Sequence, residues 1–251
     1  MNAETLNKMR ISRIYTTSPI SENSQIELDK DASHYLLKVL RLKAGEQLVL
    51  FNGDGYQHQC ELLSTESKTA TVQVVERSEK EKPPVINIHL GIGLSKGDRL
   101  DLAFQKATEL GVNEITPLFT EHATLKLNEE RLKKKSLHWQ GIIRSACEQS
   151  GRCYLPKLNP PHSLSKWVQE DTSGLKLVLS PYESKTLNQF SAPETLTVLV
   201  GPEGGLSEAE IALATHQGFI ATRLGKHVLR TETAPLAVIA AAQALWGDFR
   251  D

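Results

Sequence analysis

The 251-residue chain has little sulfur chemistry to offer: its three cysteines, Cys60, Cys147 and Cys153, are an odd number at spacings that fit no metal site. Reduced thiols in a cytoplasmic protein are therefore expected, with no disulfide and no metal. Long apolar runs are absent as well. No stretch reaches the ~18 residues of a membrane span, and the first residues, MNAETLNKMRISR, hold no apolar signal core, so no membrane association is expected. Nor is there a charge excess. A net charge of −1 excludes reading function from bulk charge, which leaves the distribution to be read. Lys and Arg outnumber Asp and Glu only between residues 81 and 160, most densely from Lys126 to Arg152. There are no internal repeats or low-complexity tracts, and residues 1–8, ahead of Met9, are expected to be a poorly ordered extension.

What is present falls into two patterns. Residues 9–78 are β-rich: ISRIYTTS, QIELD, EQLVLFN, YQHQCELLS and TATVQVVERS alternate apolar and polar positions as half-buried strands do. NGDG (52–55) is a hairpin turn signal. One helix, Ala32 to Leu42, interrupts, with Asp31 placed to cap it. Short strands, tight turns and one helix predict a small β-barrel. EKEKPP (79–84) reads as a linker, because charge followed by two prolines continues neither strand nor helix. Residues 85–251 alternate apolar strands with amphipathic helices, which predicts an α/β domain with a mostly parallel sheet covered on both faces. The final helix, about Thr233 to Trp246, is apolar nearly all round. It must be buried on more than one side, either within the chain or against a second subunit.

Four stretches carry candidate chemistry. GIGLSKG (91–97) has the spacing G-x-G-x-x-x-G, one residue too long for a dinucleotide fingerprint. A tight strand-to-helix turn fits better, with Lys96 and Arg99 available to phosphate. LVGPEGGLSE (199–208) places glycines at the end of a buried strand, but lacks the G-K-[ST] of a phosphate loop and carries Glu203 instead. Bare peptide groups there suit a nucleoside-like ligand, and a carboxylate favours a positive charge such as a sulfonium; a plain turn is the alternative. In LGKHVLRTETAP (224–235), Thr231 or Thr233 can cap the final helix, which leaves Arg230 without a capping role and suggests an anion beside it. ACEQSGR (146–152) reads either as a polar cluster or as a basic helix C-cap. In the β-rich part, Arg10, Arg13, His34, Lys38 and Arg41 make a phosphate-contacting patch, although His34 could equally be structural.

Together MRISRIY, HYLLKVLR, QKATELGV, ITPLFTEH, ACEQSGR, LVGPEGGLSEAEI and LGKHVLRTETA occur in one order from Met9 onward, and the chain resembles the RsmE family. These are the 16S ribosomal RNA uridine N3-methyltransferases of the SPOUT superfamily. The resemblance implies a PUA-like RNA-binding barrel at 9–78 and a SPOUT α/β domain with a deep trefoil knot at 85–251. It implies a homodimer acting on 16S rRNA of the small ribosomal subunit, with S-adenosylmethionine as cofactor. Cofactor contacts are expected from Leu179, Ser180, Leu199, Val200, Gly201, Glu203, Gly205, Leu224, Gly225, Val228, Leu229, Arg230 and Thr231. Catalytic roles are expected for Arg230, stabilising a uridine anion, and for Glu232, holding Arg230 or relaying the proton. RNA contacts are expected from Arg10, Arg13, His34, Arg41, Lys96, Arg144 and Arg152. The competing readings are a SPOUT enzyme that methylates a ribose 2′-hydroxyl or another base, and a non-catalytic ribosome-assembly factor.

Overall fold

The computed structural model describes residues 11–64, 69–123, 128–170 and 173–250. The proposed 1–8 extension and Arg10 therefore lie outside the described residues. The chain forms two compact units, residues 11–82 with Cys147–Leu155, and Pro83–Ala146 with residues 156–250.

The first unit is a five-stranded sheet in the order β1-β3-β4-β5-β2. Its strands are β1 (Ser12–Tyr15), β2 (Gln25–Glu27), β3 (Gln47–Phe51), β4 (His58–Ser64) and β5 (Thr71–Arg77). Residues two apart share a face, so the pairs Leu48 and Leu50, Cys60 and Leu62, and Val72 and Val74 bury together. Only β1–β3 is parallel. Among the described residues no ladder joins β1 to β2, so the expected barrel stays unpaired at that seam, and side chains bridge it. Asp29 accepts from the Thr16 hydroxyl at 2.7 Å and the Thr17 amide at 3.0 Å. Asp29, not Asp31, also caps α1 (Lys30–His34), accepting from the Ala32 amide at 2.9 Å. Burial raises the Asp29 pKa, but these hydrogen bonds outweigh it and hold the carboxyl below its ordinary value. The predicted helix to Leu42 changes character. Tyr35–Leu40 is π-helical, and Arg41 closes it at φ 57°. The wider turn buries Leu36 while Leu37, Leu40 and Leu42 rim the same core.

The second unit is built on a parallel sheet in the order β12-β10-β11-β6-β7-β8, with β9 also on β7. Its strands are β6 (Asn87–Gly93), β7 (Glu114–Phe119), β8 (Lys157–Leu158), β9 (His162–Ser163), β10 (Leu175–Leu179), β11 (Thr195–Val200) and β12 (Ile220–Thr222). The helices are α2 (Arg99–Glu109), α3 (Glu129–Ser150), α4 (Leu164–Trp167), α5 (Glu208–His216) and α6 (Thr233–Trp246); α3 passes into the first unit at Cys147. Both sheet faces are covered, which is why the strands read as continuous apolar runs. Leu196, Val198 and Val200 of β11 face one core with α2 and α6, while Leu199 faces the other with Leu118, Trp167, Val178 and Phe219.

Gly91 and Gly93 serve this packing. A Cβ at Gly91 would overlap the Trp167 ring, and one at Gly93 would sit 2.6 Å from Pro202. Gly97, at φ +70° with open space beside it, answers to backbone conformation instead, so the fingerprint-like spacing joins close packing to a turn and marks no dinucleotide site. On α6, Ala234, Val238, Ile239, Ala242 and Trp246 are buried within the unit. The opposite side, Leu236, Ala237, Ala240 and Ala241, is only half-buried, and Leu245 is exposed.

Candidate functional site

Because β10, β11 and β12 are adjacent and parallel, their carboxyl ends at Leu179, Val200 and Thr222 emerge side by side. In open α/β sheets this is where ligands bind. The segments that follow enclose a cavity of about 700 Å³, within the range typical of small-molecule sites. Twelve of the thirteen residues expected to hold a cofactor line it. The exception is Leu199, whose side chain points by strand alternation into the opposite core.

Glycines of two loops, Gly201, Gly204, Gly205 and Gly225, share the walls with apolar residues such as Leu179, Val200, Leu224 and Leu229. Gly205 (φ +73°) and Gly225 (φ +86°) occupy left-handed backbone with open space where a Cβ would stand, so conformation, not crowding, demands glycine there. Two side-chain ties fix the loops. The Thr231 hydroxyl donates to the Gly201 carbonyl at 2.6 Å, joining the 224–231 segment to the glycine loop. It does not cap α6, whose N-cap is Glu232 with no side-chain cap bond. Past the loop, Ser207 and Glu210 form a capping box that starts α5.

The second tie answers why a glycine loop carries a glutamate. Glu203 Oε1 accepts from the Arg99 guanidinium at 2.6 Å and the Lys96 amide at 3.0 Å. Burial raises its pKa, but hydrogen bonds from its own loop, Arg99, Ser95 and Lys96 prevail and lower it. The carboxylate is therefore held toward α2 and not offered to a sulfonium. Arg99 likewise is not free for phosphate. Its Nε lies 3.7 Å from Glu232 Oε2, while Arg230 lies 4.0 Å from Glu232 Oε1. Glu232 is 16% exposed and Arg230 81%. The expected catalytic pair thus stands together at the cavity, the carboxylate recessed and the guanidinium reaching outward. Sequence reasoning named Arg99 but missed its bridging position, which no local spacing reveals. It also missed Tyr182 and His227 of the lining; Tyr182, two residues past the predicted strand end at Ser180, was within reach of a loop-based search.

Of the residues expected to meet RNA, His34 and Arg41 are exposed on the α1 segment with Lys38. Arg13 is engaged internally. Its guanidinium donates to the Gly151 and Arg152 carbonyls, each at 3.1 Å, and to Gln57 at 3.2 Å, and it stacks over Phe51. Arg13 therefore caps the end of α3 within the first unit. Arg152 belongs to that unit too, whereas Lys96 and Arg144 belong to the second, Lys96 exposed and Arg144 half-buried. Cys147 and Cys60 are buried thiols, their pKa pushed up by desolvation to about 11 and about 12. Among the described residues no group of three His, Cys, Asp or Glu could hold a metal, and no helix is long and apolar enough to cross a membrane.

Glycine-lined loops at the carboxyl edge of a parallel sheet, in a chain that also carries a separate β-unit, place it in a class that sequence comparison defines independently. Residues 81–243 match the RNA methyltransferase domain family, and residues 28–75 the RNA methyltransferase PUA domain. The chain is 37% identical over 245 residues to the ribosomal RNA small subunit methyltransferase E of Buchnera aphidicola subsp. Schizaphis graminum, covering 96% of this chain and 99% of that one. With the Bacillus subtilis protein of the same name it shares 32% identity, covering 90% and 92%. A crystal structure of a ribosomal RNA small subunit methyltransferase E from Neisseria gonorrhoeae, bound to S-adenosyl methionine, superposes with a TM-score of 0.89 at 36% identity, covering 96% of this chain and all of that one. The chain belongs to the ribosomal RNA small subunit methyltransferase E family.

Proposed function

We propose that this protein methylates N3 of a specific uridine in the 16S RNA of the small ribosomal subunit, using S-adenosylmethionine, as a cytoplasmic homodimer. The observation that carries the reading is the convergence of three loop ends on one cavity lined by glycines and apolar side chains. Leu179, Val200, Leu224 and Leu229 give it apolar surface for an adenine. Main-chain groups of the glycine loop and of Gly225, other than the Gly201 carbonyl that Thr231 occupies, suit base edges and ribose hydroxyls. No lysine stands in the glycine loop to favour a polyphosphate. When bound, the cofactor supplies a methyl group on a positively charged sulfur.

The chain's own part is positioning and electrostatics. The N3 proton of uridine has a pKa roughly two units above neutral, so removing it costs about 3 kcal/mol. Arg230, whose guanidinium extends from the cavity wall, offsets the charge left on the base, and no strong base is required. Glu232 orients Arg230 or takes the proton. The target base must reach the cavity unpaired or flipped out of its stack. His34 and Arg41 in the PUA unit, with Lys96, Arg144 and Arg152, hold the RNA backbone, so affinity falls steeply with salt.

Two further features belong to this reading. The half-buried alanine face of α6 and exposed Leu245 are the surface proposed for the second subunit. A trefoil knot is supported by the path after β12. From that edge strand the chain returns past β10, where Thr231 reaches Gly201, and α6 then packs on α2. Knots are otherwise nearly absent from proteins. Mass spectrometry of small-subunit RNA nucleosides from a deletion strain tests the reaction: loss of 3-methyluridine is expected. Loss of a ribose methyl instead, or no heat on titrating S-adenosylmethionine into the protein, would overturn it.

A further inference from the structure

Arg99 is a half-exposed side chain, but it is not a solvated one. It begins α2, directly after the turn that follows β6, and its guanidinium stands between two carboxylates from different parts of the site. One is Glu203 of the glycine loop, at 2.6 Å; the other is Glu232 at the start of α6, at 3.7 Å. Glu203 has a further donor in the Lys96 amide. Glu232 Oε2 is buried with no hydrogen bond, so the Arg99 charge is its nearest compensation. On the other side of the same carboxylate, Arg230 is 4.0 Å away. A carboxylate shared by two guanidiniums is aimed by whichever of them is fixed. Here that is Arg99, anchored at its far end on Glu203, while Arg230 is largely exposed.

We propose that Arg99 is a positioning residue. It ties the glycine loop to Glu232, and through Glu232 it sets where Arg230 stands over the target base. The proposal rests on the methyltransfer reading above and adds a residue to it. The asymmetry of the anchors makes it specific. Without Arg99 the glycine loop keeps the Lys96 amide and the Thr231 hydroxyl as braces, so cofactor binding survives. Glu232 keeps only Arg230, and draws that guanidinium back from the base.

Two measurements on the full chain test this. In steady-state methylation of small-subunit RNA, Arg99→Ala is expected to lower kcat by about 10- to 50-fold, with the S-adenosylmethionine Kd and the RNA KM each within threefold of the unaltered chain. Arg99→Lys, which cannot reach both carboxylates with one fork, should recover part of that loss. A parallel loss of cofactor affinity, or an unchanged kcat, overturns the proposal. The second measurement needs no activity: a double-mutant cycle in urea unfolding over Arg99→Ala and Glu232→Gln. A coupling of at least threefold in the unfolding constant is expected, and additivity overturns the tie. Should Arg99→Ala fold poorly, the same cycle with Arg99→Lys decides. Absence of methyl transfer by the unaltered chain would sink the functional reading, while the cycle would still judge Arg99.

Discussion

Replacing Thr231 by valine removes one hydroxyl and keeps the shape. The loss is confined to the 2.6 Å hydrogen bond to the Gly201 carbonyl, made by a residue that is 8% exposed. An acceptor stripped of its donor costs about 1–3 kcal/mol when buried. Gly201 is only half-buried, so water partly replaces the lost donor, and the lower half of that range, about 1–2 kcal/mol, applies. At roughly 2–4 °C per kcal/mol for a unit of this size, the melting temperature should fall by about 2–8 °C. The same bond holds two walls of the cofactor cavity together, so S-adenosylmethionine affinity should fall about tenfold, or ~1.4 kcal/mol. Thermal unfolding of the unaltered chain, Thr231→Val and Thr231→Ser, each with and without S-adenosylmethionine, reads both effects. Serine keeps the hydroxyl and should stay near the unaltered chain in both. Should valine melt within a degree of the unaltered chain and gain as much from the cofactor, the tie between the loops contributes nothing and the account of the cavity fails.

Other outcomes follow from the packing and the titratable groups. Gly91→Ala pushes a methyl into the Trp167 ring, which is fixed between His89 and Phe219; a loss of about 1–3 kcal/mol in urea unfolding is expected, and an unchanged midpoint would return Gly91 to the candidates for ligand contact. Arg13→Gln removes the donors at the end of α3 and should cost about 1–2 kcal/mol while leaving the salt dependence of RNA binding unaltered. A salt slope reduced by about one would instead make Arg13 a phosphate contact. Burial raises the Cys60 and Cys147 thiols to about 12 and about 11, from an ordinary value of 9.0. Below pH 9 both states keep the protons. Above it the unfolded chain loses them first, so stability declines from pH 9 toward 12, and Cys60→Ala with Cys147→Ala should flatten that decline. Asp29→Ala removes a cap and a carboxyl held below its ordinary value. It should cost about 0.5–2 kcal/mol at neutral pH and less as pH falls below 4, a difference that chemical unfolding at both pH values detects.

Hydrophobic patterning was a good guide to which faces are buried and a poor one wherever local geometry did the work. The apolar runs of β6 and β11 announced a sheet covered on both sides. Asp31 looked like the cap of α1 because it precedes an apolar stretch, yet Asp29 takes the role, since from there one carboxylate also reaches Thr16 and Thr17 across the open seam. A π-helical turn has no signature in spacing: the i, i+1, i+4 pattern of Leu36, Leu37 and Leu40 serves either helix. The glycines divide in a way no motif separates. Gly91 and Gly93 make room for Trp167 and Pro202, while Gly205 and Gly225 supply backbone angles that side chains rarely adopt.

The cavity itself was legible only as separate loops, because strand order is not sequence order. β10, β11 and β12 follow one another along the chain, but β6 joins β11 on one side and β12 closes β10 on the other. The ties that complete the site therefore span 30 residues from Thr231 to Gly201 and 104 from Arg99 to Glu203. Contacts that distant are non-local ones, whose loop-closure entropy is paid before they form. This separates the two ties physically. The buried Thr231 hydroxyl donates to the Gly201 carbonyl, and its loss must appear in stability and in cofactor affinity together. Arg99 acts through charge at a half-exposed position, where an ion pair adds at most about 1 kcal/mol to stability, so its larger effect is expected in turnover, through the direction it gives to Glu232.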